Sequence, residues 1–206
     1  MREEAGLAAA RATPPSLLDV GCGIKPYLPF FQGAVAKYVG VDVANPAADL
    51  EGTAEAIPVA DASYDLVLCT QTLEHVDDPA RVVRELRRVV APGGRVLVST
   101  HGVQVYHPNP QDLWRWTHAG LERLFRENGD WSAVTVTPAS GTTACVGMLV
   151  SIYIHLLAKR VHVGALAAPF IAAVNATAAA IDKAVPRLRT PSPGTIFVNY
   201  HVVAIP

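Results

Sequence analysis

The residues best suited to chemistry are two acids set around a glycine turn. Asp19 stands near the end of the apolar run Leu17-Leu18-Asp19-Val20, immediately before Gly21-Cys22-Gly23, and Asp42 closes the next apolar run. Glycines at 21 and 23 let the backbone turn sharply and come close to a bound molecule, while a helix opening at Pro26 would offer unpaired N–H groups. A carboxylate inside a strand end is costly unless N–H groups or a ligand's cationic group meet it. The pattern therefore predicts a pocket for a cofactor with an amino group. Pro26 occupies the place where a dinucleotide fingerprint needs a small residue, which disfavours a pyrophosphate. Asp42 follows the turn by about 20 residues, where an acid can accept hydrogen bonds from ribose hydroxyls. A second group, His101, Tyr106 and His107, holds the candidates for a general base, the histidines first because they titrate near neutrality. His75, alone in a loop, reads more readily as a structural hydrogen-bonder.

These side chains need elements to position them. Leu17–Val20, Lys37–Asp42, Tyr64–Cys69 and Arg95–Thr100 are short apolar runs of the kind that form parallel strands buried on both faces. Asp78-Pro79 opens a helix whose apolar stripe is Val82, Val83, Leu86, Val89 and Val90, and Thr117 caps another carrying Leu121, Leu124 and Phe125. Strands alternating with helices predict a doubly wound α/β sheet whose ligand crevice lies at the strands' C-terminal ends.

Composition bounds the partners. The chain has 206 residues, half of them hydrophobic, which suits a single domain. Its formal net charge is -1, with 17 Lys and Arg against 18 Asp and Glu, and no basic stripe stands out, so nucleic acid is excluded as a partner. Three cysteines, an odd number, suggest free thiols in a reducing, cytoplasmic setting. The first residues lack the apolar core of a secretory signal.

Five further blocks extend the pattern in order: Val39-Gly40-Val41-Asp42, Ala54-Glu55-Ala56-Ile57-Pro58, Ser63-Tyr64-Asp65-Leu66-Val67, Leu73-Glu74-His75-Val76 and Pro92-Gly93-Gly94-Arg95. With Leu-Leu-Asp-Val-Gly-Cys-Gly they resemble class I S-adenosylmethionine-dependent methyltransferases, in particular the type 11 group, over roughly residues 16 to 137. The resemblance implies a Rossmann-like, mostly parallel seven-stranded sheet with an antiparallel last strand. It implies S-adenosylmethionine as cofactor, held at Asp19, Gly21, Cys22, Gly23 and Asp42. Adenine would fall at Thr53 and Ala54, although many relatives carry Asp where Thr53 stands. Thr70 and Gln71 would border the methionine end. The expected reaction is methyl transfer to a small-molecule or lipid- or glycan-linked acceptor. Two rivals remain: a non-catalytic protein that keeps the fold, and a nicotinamide-dependent oxidoreductase.

Two stretches fall outside the shared blocks. His101 to Thr117 is dense in His, Tyr, Trp and Arg and would serve as a substrate wall, or Trp114 and Trp116 would anchor a loop. His101, His107 and Asp112 match no metal-ligand spacing, and no metal is expected. Residues 141–186, between the last two strands, read as an inserted apolar helical hairpin. Its segments, Val146–Ala158 and Val163–Ile181, are respectively short for a bilayer and broken by Pro169, so a hairpin is expected in place of two transmembrane spans. It would cap the site, form a homodimer surface through 145–183, or make peripheral membrane contact.

Overall fold

The computed structural model describes residues 1–206. In chain order the elements are α1 (Arg2–Ala9), β1 (Ser16–Val20), α2 (Leu28–Phe31), β2 (Lys37–Asp42), β3 (Leu50–Glu51), β4 (Tyr64–Thr70), α3 (Pro79–Val89), β5 (Val90–His101), α4 (His118–Glu127), β6 (Ala133–Pro138), α5 (Thr142–Arg160), α6 (Gly164–Ala184) and β7 (Asn199–Ile205). The strands make one seven-stranded sheet in the order β3-β2-β1-β4-β5-β7-β6. β1 pairs in parallel with both β2 and β4, and β4 pairs in parallel with β5. β7 runs antiparallel to β6: Ser132 N–H donates to Ile205 at one end and Ala139 N–H to Asn199 at the other. The expected methyltransferase-type α/β sheet is the one observed.

The central strands carry apolar side chains on both faces because helices cover both. Leu17, Leu18, Val20, Val67 and Leu68 are fully buried, and Val82, Val83, Leu86 and Val89 of α3 join them. Fully removing such side chains from water stabilises by roughly 1.5–3 kcal/mol each. The Asp78 carboxylate accepts from Arg81 N–H at 2.9 Å and Thr117 Oγ1 from Gly120 N–H at 3.0 Å, so both expected helix caps form. Because β1, β2, β4 and β5 are parallel, Val20, Asp42, Thr70 and His101 all end at one edge of the sheet. β1 lies where the strand order reverses, with β2 on one side and β4 on the other, which is where doubly wound sheets open a crevice.

Two local expectations need correction. The helix after the glycine turn does not open at Pro26; Lys25 adopts a left-handed φ of 55° and a further turn follows, leaving only the four residues of α2 before Gly33 at φ 80°. The last strand begins at Asn199, not near Thr195, because Thr195 folds back on Ser192 in a tight turn. Helix α5 begins at Thr142, one residue inside the insertion read from sequence as 141–186.

Two compact units are distinguishable. The first comprises Met1–His101, Tyr106–Val136 and His201–Pro206; the second comprises Gly102–Val105 and Thr137–Tyr200 and contains α5 and α6.

Candidate cofactor site

At the C-terminal edge of β1, β2 and β4, within the first unit, lies a cavity of about 620 Å³, a size typical for a small ligand. Six of the residues anticipated from sequence line it: Gly21, Gly23, Asp42, Thr53, Ala54 and Gln71. Gly21 has a φ of 71°, and a Cβ there would stand 2.3 Å from Thr72 Oγ1, so only glycine leaves this wall intact.

The turn's N–H groups are not free for a ligand, contrary to expectation. Gly21 and Cys22 both donate to the Val41 carbonyl, at 2.9 and 3.1 Å, and Gly23 donates to Asp42 Oδ2 at 2.7 Å. They serve instead to tie the turn to the end of β2. Asn45 adds to this, its amide donating to the Gly23 carbonyl at 2.8 Å and to Asp42 Oδ2 at 3.0 Å. The result is a site with carboxylate and carbonyl oxygens and few donors. That arrangement suits cations and hydroxyls and repels a pyrophosphate.

Asp19 sharpens this. Contrary to expectation it does not line the cavity but is fully buried two residues behind Gly21; Tyr38 Oη donates to its Oδ2 at 2.5 Å, and Oδ1 has no partner. Burial pushes its carboxyl up to about 6, with the Tyr38 hydrogen bond opposing and the Asp42 charge adding to the rise. Cys22 and Thr70 are buried and do not line the cavity; the Cys22 thiol packs against Gly40, where a Cβ would meet Sγ at 2.6 Å, and burial pushes it up to about 11.

The candidate bases sit differently from expectation. His101, His107 and Tyr106 do not line the cavity, and Tyr106 is 74% exposed. His75 does line it, with Thr72, Val43, Pro110 and Gln111. The three imidazoles form a series: the His75 and His107 ring centroids lie 5.3 Å apart, and those of His107 and His101 lie 4.9 Å apart. His101 Nε2 stands 3.3 Å from the buried Glu74, whose other oxygen accepts from Thr100 Oγ1 at 2.8 Å. Burial, then the neighbouring His107 and Arg115, bring His101 down to about 4, so it is neutral at pH 7. Burial raises the Glu74 carboxyl.

The aromatic loop is anchored, as the plainer of its two readings holds. Leu113 and Trp114 N–H donate to the Glu74 carbonyl, Trp114 Nε1 donates to the Val76 carbonyl at 2.8 Å, and the two indoles stack. His101, His107 and Asp112 are brought within 4.8 Å of one another, which their spacing did not foretell. Arg115 binds both Asp112 oxygens, at 2.5 and 2.6 Å, and holds that carboxyl well below the usual range.

Sequence reasoning missed Val43 and Thr72, and named Pro110 and Gln111 only as part of the His101 to Thr117 stretch. Val43 was readable as the residue directly after the strand-ending acid. Of the stretch read as a substrate wall, Pro110 and Gln111 are the two residues that line the cavity, because Gln111 folds back on His75, its carbonyl against Nδ1 and its amide donating to the His75 carbonyl at 2.6 Å.

Comparison with known proteins bears on the family and the fold. The family described as a methyltransferase domain matches residues 2–132. The chain belongs to that family. The methyltransferase fold extends to solved structures: the YcgJ protein of Bacillus subtilis superposes with a TM-score of 0.56 at 20% identity, covering 98% of this chain and 96% of that one. A Haemonchus contortus phosphoethanolamine N-methyltransferase, solved with phosphomonomethylethanolamine and S-adenosylhomocysteine, gives 0.60 at 13% identity over 99% of this chain and 52% of its own. Among curated relatives, a ubiquinone biosynthesis O-methyltransferase of Sodalis glossinidius is 35% identical over 130 residues, 54% of this chain and 49% of its own. Norajmaline N-methyltransferase of Rauvolfia serpentina is 28% identical over 118 residues, 48% of this chain and 40% of its own. The chain thus spans about half the length, or less, of these curated relatives.

Proposed function

We propose that the protein transfers a methyl group from S-adenosylmethionine to a small-molecule or lipid-linked acceptor. One observation carries this reading: a cavity rich in acceptors, beside Asp42 and two residues from a buried carboxylate with an unpartnered oxygen. Asp19 and Asp42 together favour a cationic amino acid moiety. Asp42 is placed for ribose hydroxyls, and Thr53, Ala54 and Val43 for the adenine. The consumption of the turn's N–H groups disfavours a nicotinamide dinucleotide. The named activities of the relatives, O- and N-methyl transfer, support an oxygen or nitrogen acceptor.

Bound S-adenosylmethionine supplies a sulfonium-activated methyl, so the chain has to position the acceptor, exclude water and take up a proton. Positioning of this kind is worth roughly 7–11 kcal/mol. Pro110 and Gln111 cover part of the cavity. His75 is the base: the Gln111 carbonyl can only accept, so His75 Nδ1 carries the hydrogen and Nε2 keeps its lone pair for an acceptor hydroxyl. The same reading places the protein in a reducing, cytoplasmic compartment, supported by three cysteines that are free and buried.

Calorimetric titration with S-adenosylhomocysteine, followed by transfer of labelled methyl to a panel of phenols, amines and lipid extracts, tests the proposal. Micromolar binding with label transfer is expected, and His75→Gln should keep the binding and lose transfer to hydroxyls at least tenfold. Binding no tighter than millimolar would leave a protein that keeps the fold without the reaction.

A further inference from the structure

The second unit contains a helix pair built the reverse way from a water-soluble one. Helix α6 is apolar or small on every side, with no Asp, Glu, Lys or Arg between Arg160 and Asp182, yet only Ala178 and Asp182 are buried. A helix hydrophobic all round belongs in a protein core or in lipid, and this one is not in a core. Large apolar side chains point away from the pair: Leu166 is 77% exposed, Leu157 65%, Tyr153 63% and Phe170 59%.

Small and polar residues bring α5 and α6 together at two points. Gly147 faces Ala178 so closely that a Cβ on it would stand 2.9 Å from the alanine Cβ, and Ser151 Oγ bonds Asn175 Oδ1 at 3.0 Å. Close approach through small residues with polar side chains bonded across is how helices associate where the solvent is hydrocarbon. The helix ends fit the same solvent. Asp182 is buried and accepts from Thr143 and Ala144 N–H at 3.0 and 2.8 Å, which satisfies the start of α5 and removes the acid from the outer surface.

We infer that α5 and α6 cross a lipid bilayer as a two-helix hairpin. The stretches without charge, 142–158 in α5 and 164–181 in α6, are about 26 and 27 Å long, at the short end of what crosses about 30 Å of hydrocarbon. Lys159, Arg160 and His162 form the turn at one end, and Lys183, Arg187 and Arg189 follow at the other. Basic residues at both ends suit two headgroup layers. A hairpin inserted only halfway would bury the Lys159-Arg160 turn in hydrocarbon, so the turn emerges on the far side. A second copy of the chain would cover one stripe of this surface and leave the remaining sides of α6 in water. The inference does not depend on the proposed methyl transfer.

The test uses the full chain and liposomes of phosphatidylcholine with and without phosphatidylglycerol. Flotation should occur with both, resist 1 M salt and alkaline carbonate (probe conditions on the order of those that strip surface charge contacts), and leave the trypsin sites at Lys159 and Arg160 protected until detergent is added. Leu166→Glu with Phe170→Glu should abolish flotation while S-adenosylhomocysteine affinity in detergent stays unchanged. Salt-sensitive flotation with cleavage at Lys159 in intact liposomes would overturn spanning. A soluble dimer that does not float would assign the face to a second copy instead. Loss of cofactor binding with flotation retained would count against the methyltransferase reading and leave this one standing.

Discussion

Asp19→Asn probes the electrostatic design of the site most directly. The wild-type carboxyl rises from 3.8 to about 6 on folding, chiefly through burial. Its raised folded value means that the native state holds the proton more tightly than the unfolded chain does. The stabilisation is complete below about pH 4 and is lost as pH rises through 6, an ionisation cost of about 3 kcal/mol at neutrality, since one unit is about 1.4 kcal/mol. Asparagine keeps an acceptor for Tyr38 and never ionises. It puts an unpartnered amide where Oδ1 stood, a penalty of about 1–3 kcal/mol that does not vary with pH. The stability difference between variant and wild type should therefore swing by about 3 kcal/mol in the variant's favour from pH 3 to pH 7. His101 titrates in the same window with opposite sign, its depressed folded value making stability rise with pH, and this contribution cancels in the difference. Urea unfolding followed by tryptophan fluorescence is the assay, because Trp114, Trp116 and Trp131 all belong to the unit that holds Asp19. At a slope near 2 kcal/mol/M the swing moves the relative midpoint by about 1.5 M. A difference that stays flat across this range would falsify the reasoning. In cofactor titrations, wild-type affinity should fall as pH drops below about 6, whereas the variant should bind at least tenfold more weakly at pH 7.5 and show no such dependence.

Two further outcomes follow from the same geometry. Gly21→Ala should cost about 1–3 kcal/mol through its left-handed φ and more through the clash with Thr72, so thermal melting should show a loss that Thr72→Ala partly restores. Asp42→Ala should weaken S-adenosylhomocysteine binding at least tenfold in calorimetry, and with a larger effect than Asn45→Ala, because it removes both the proposed ribose acceptor and the anchor of Gly23 N–H.

Much of the fold could be read from the chain because its determinants are local. Apolar runs of strand length, the Asp78 and Thr117 caps and the glycines at 21 and 23 each act within a few residues, and the observed sheet follows from them. Asp19 and Asp42 were legible as strand-end acids for the same reason, since an acid there stands out against its neighbours, yet only Asp42 lines the cavity and Asp19 is buried behind the turn. What a turn's N–H groups bind was not legible, since Val41 and Asp42 become their partners only once β1 and β2 lie side by side.

The histidines show the limit most clearly. Sequence favoured His101 and His107 as the histidines of the stretch after β5 and set His75 aside, yet it is His75 that reaches the cavity, held by Gln111 from a loop 36 positions later. Residue identity alone determined that this chain would make a parallel sheet with acids at its C-terminal edge, because side-chain size, charge and backbone preference act over short distances. Tertiary structure decided which of those groups remain available to a ligand, and which face of the apolar hairpin stays uncovered, because burial and hydrogen-bond partnership are set by residues far apart in the chain.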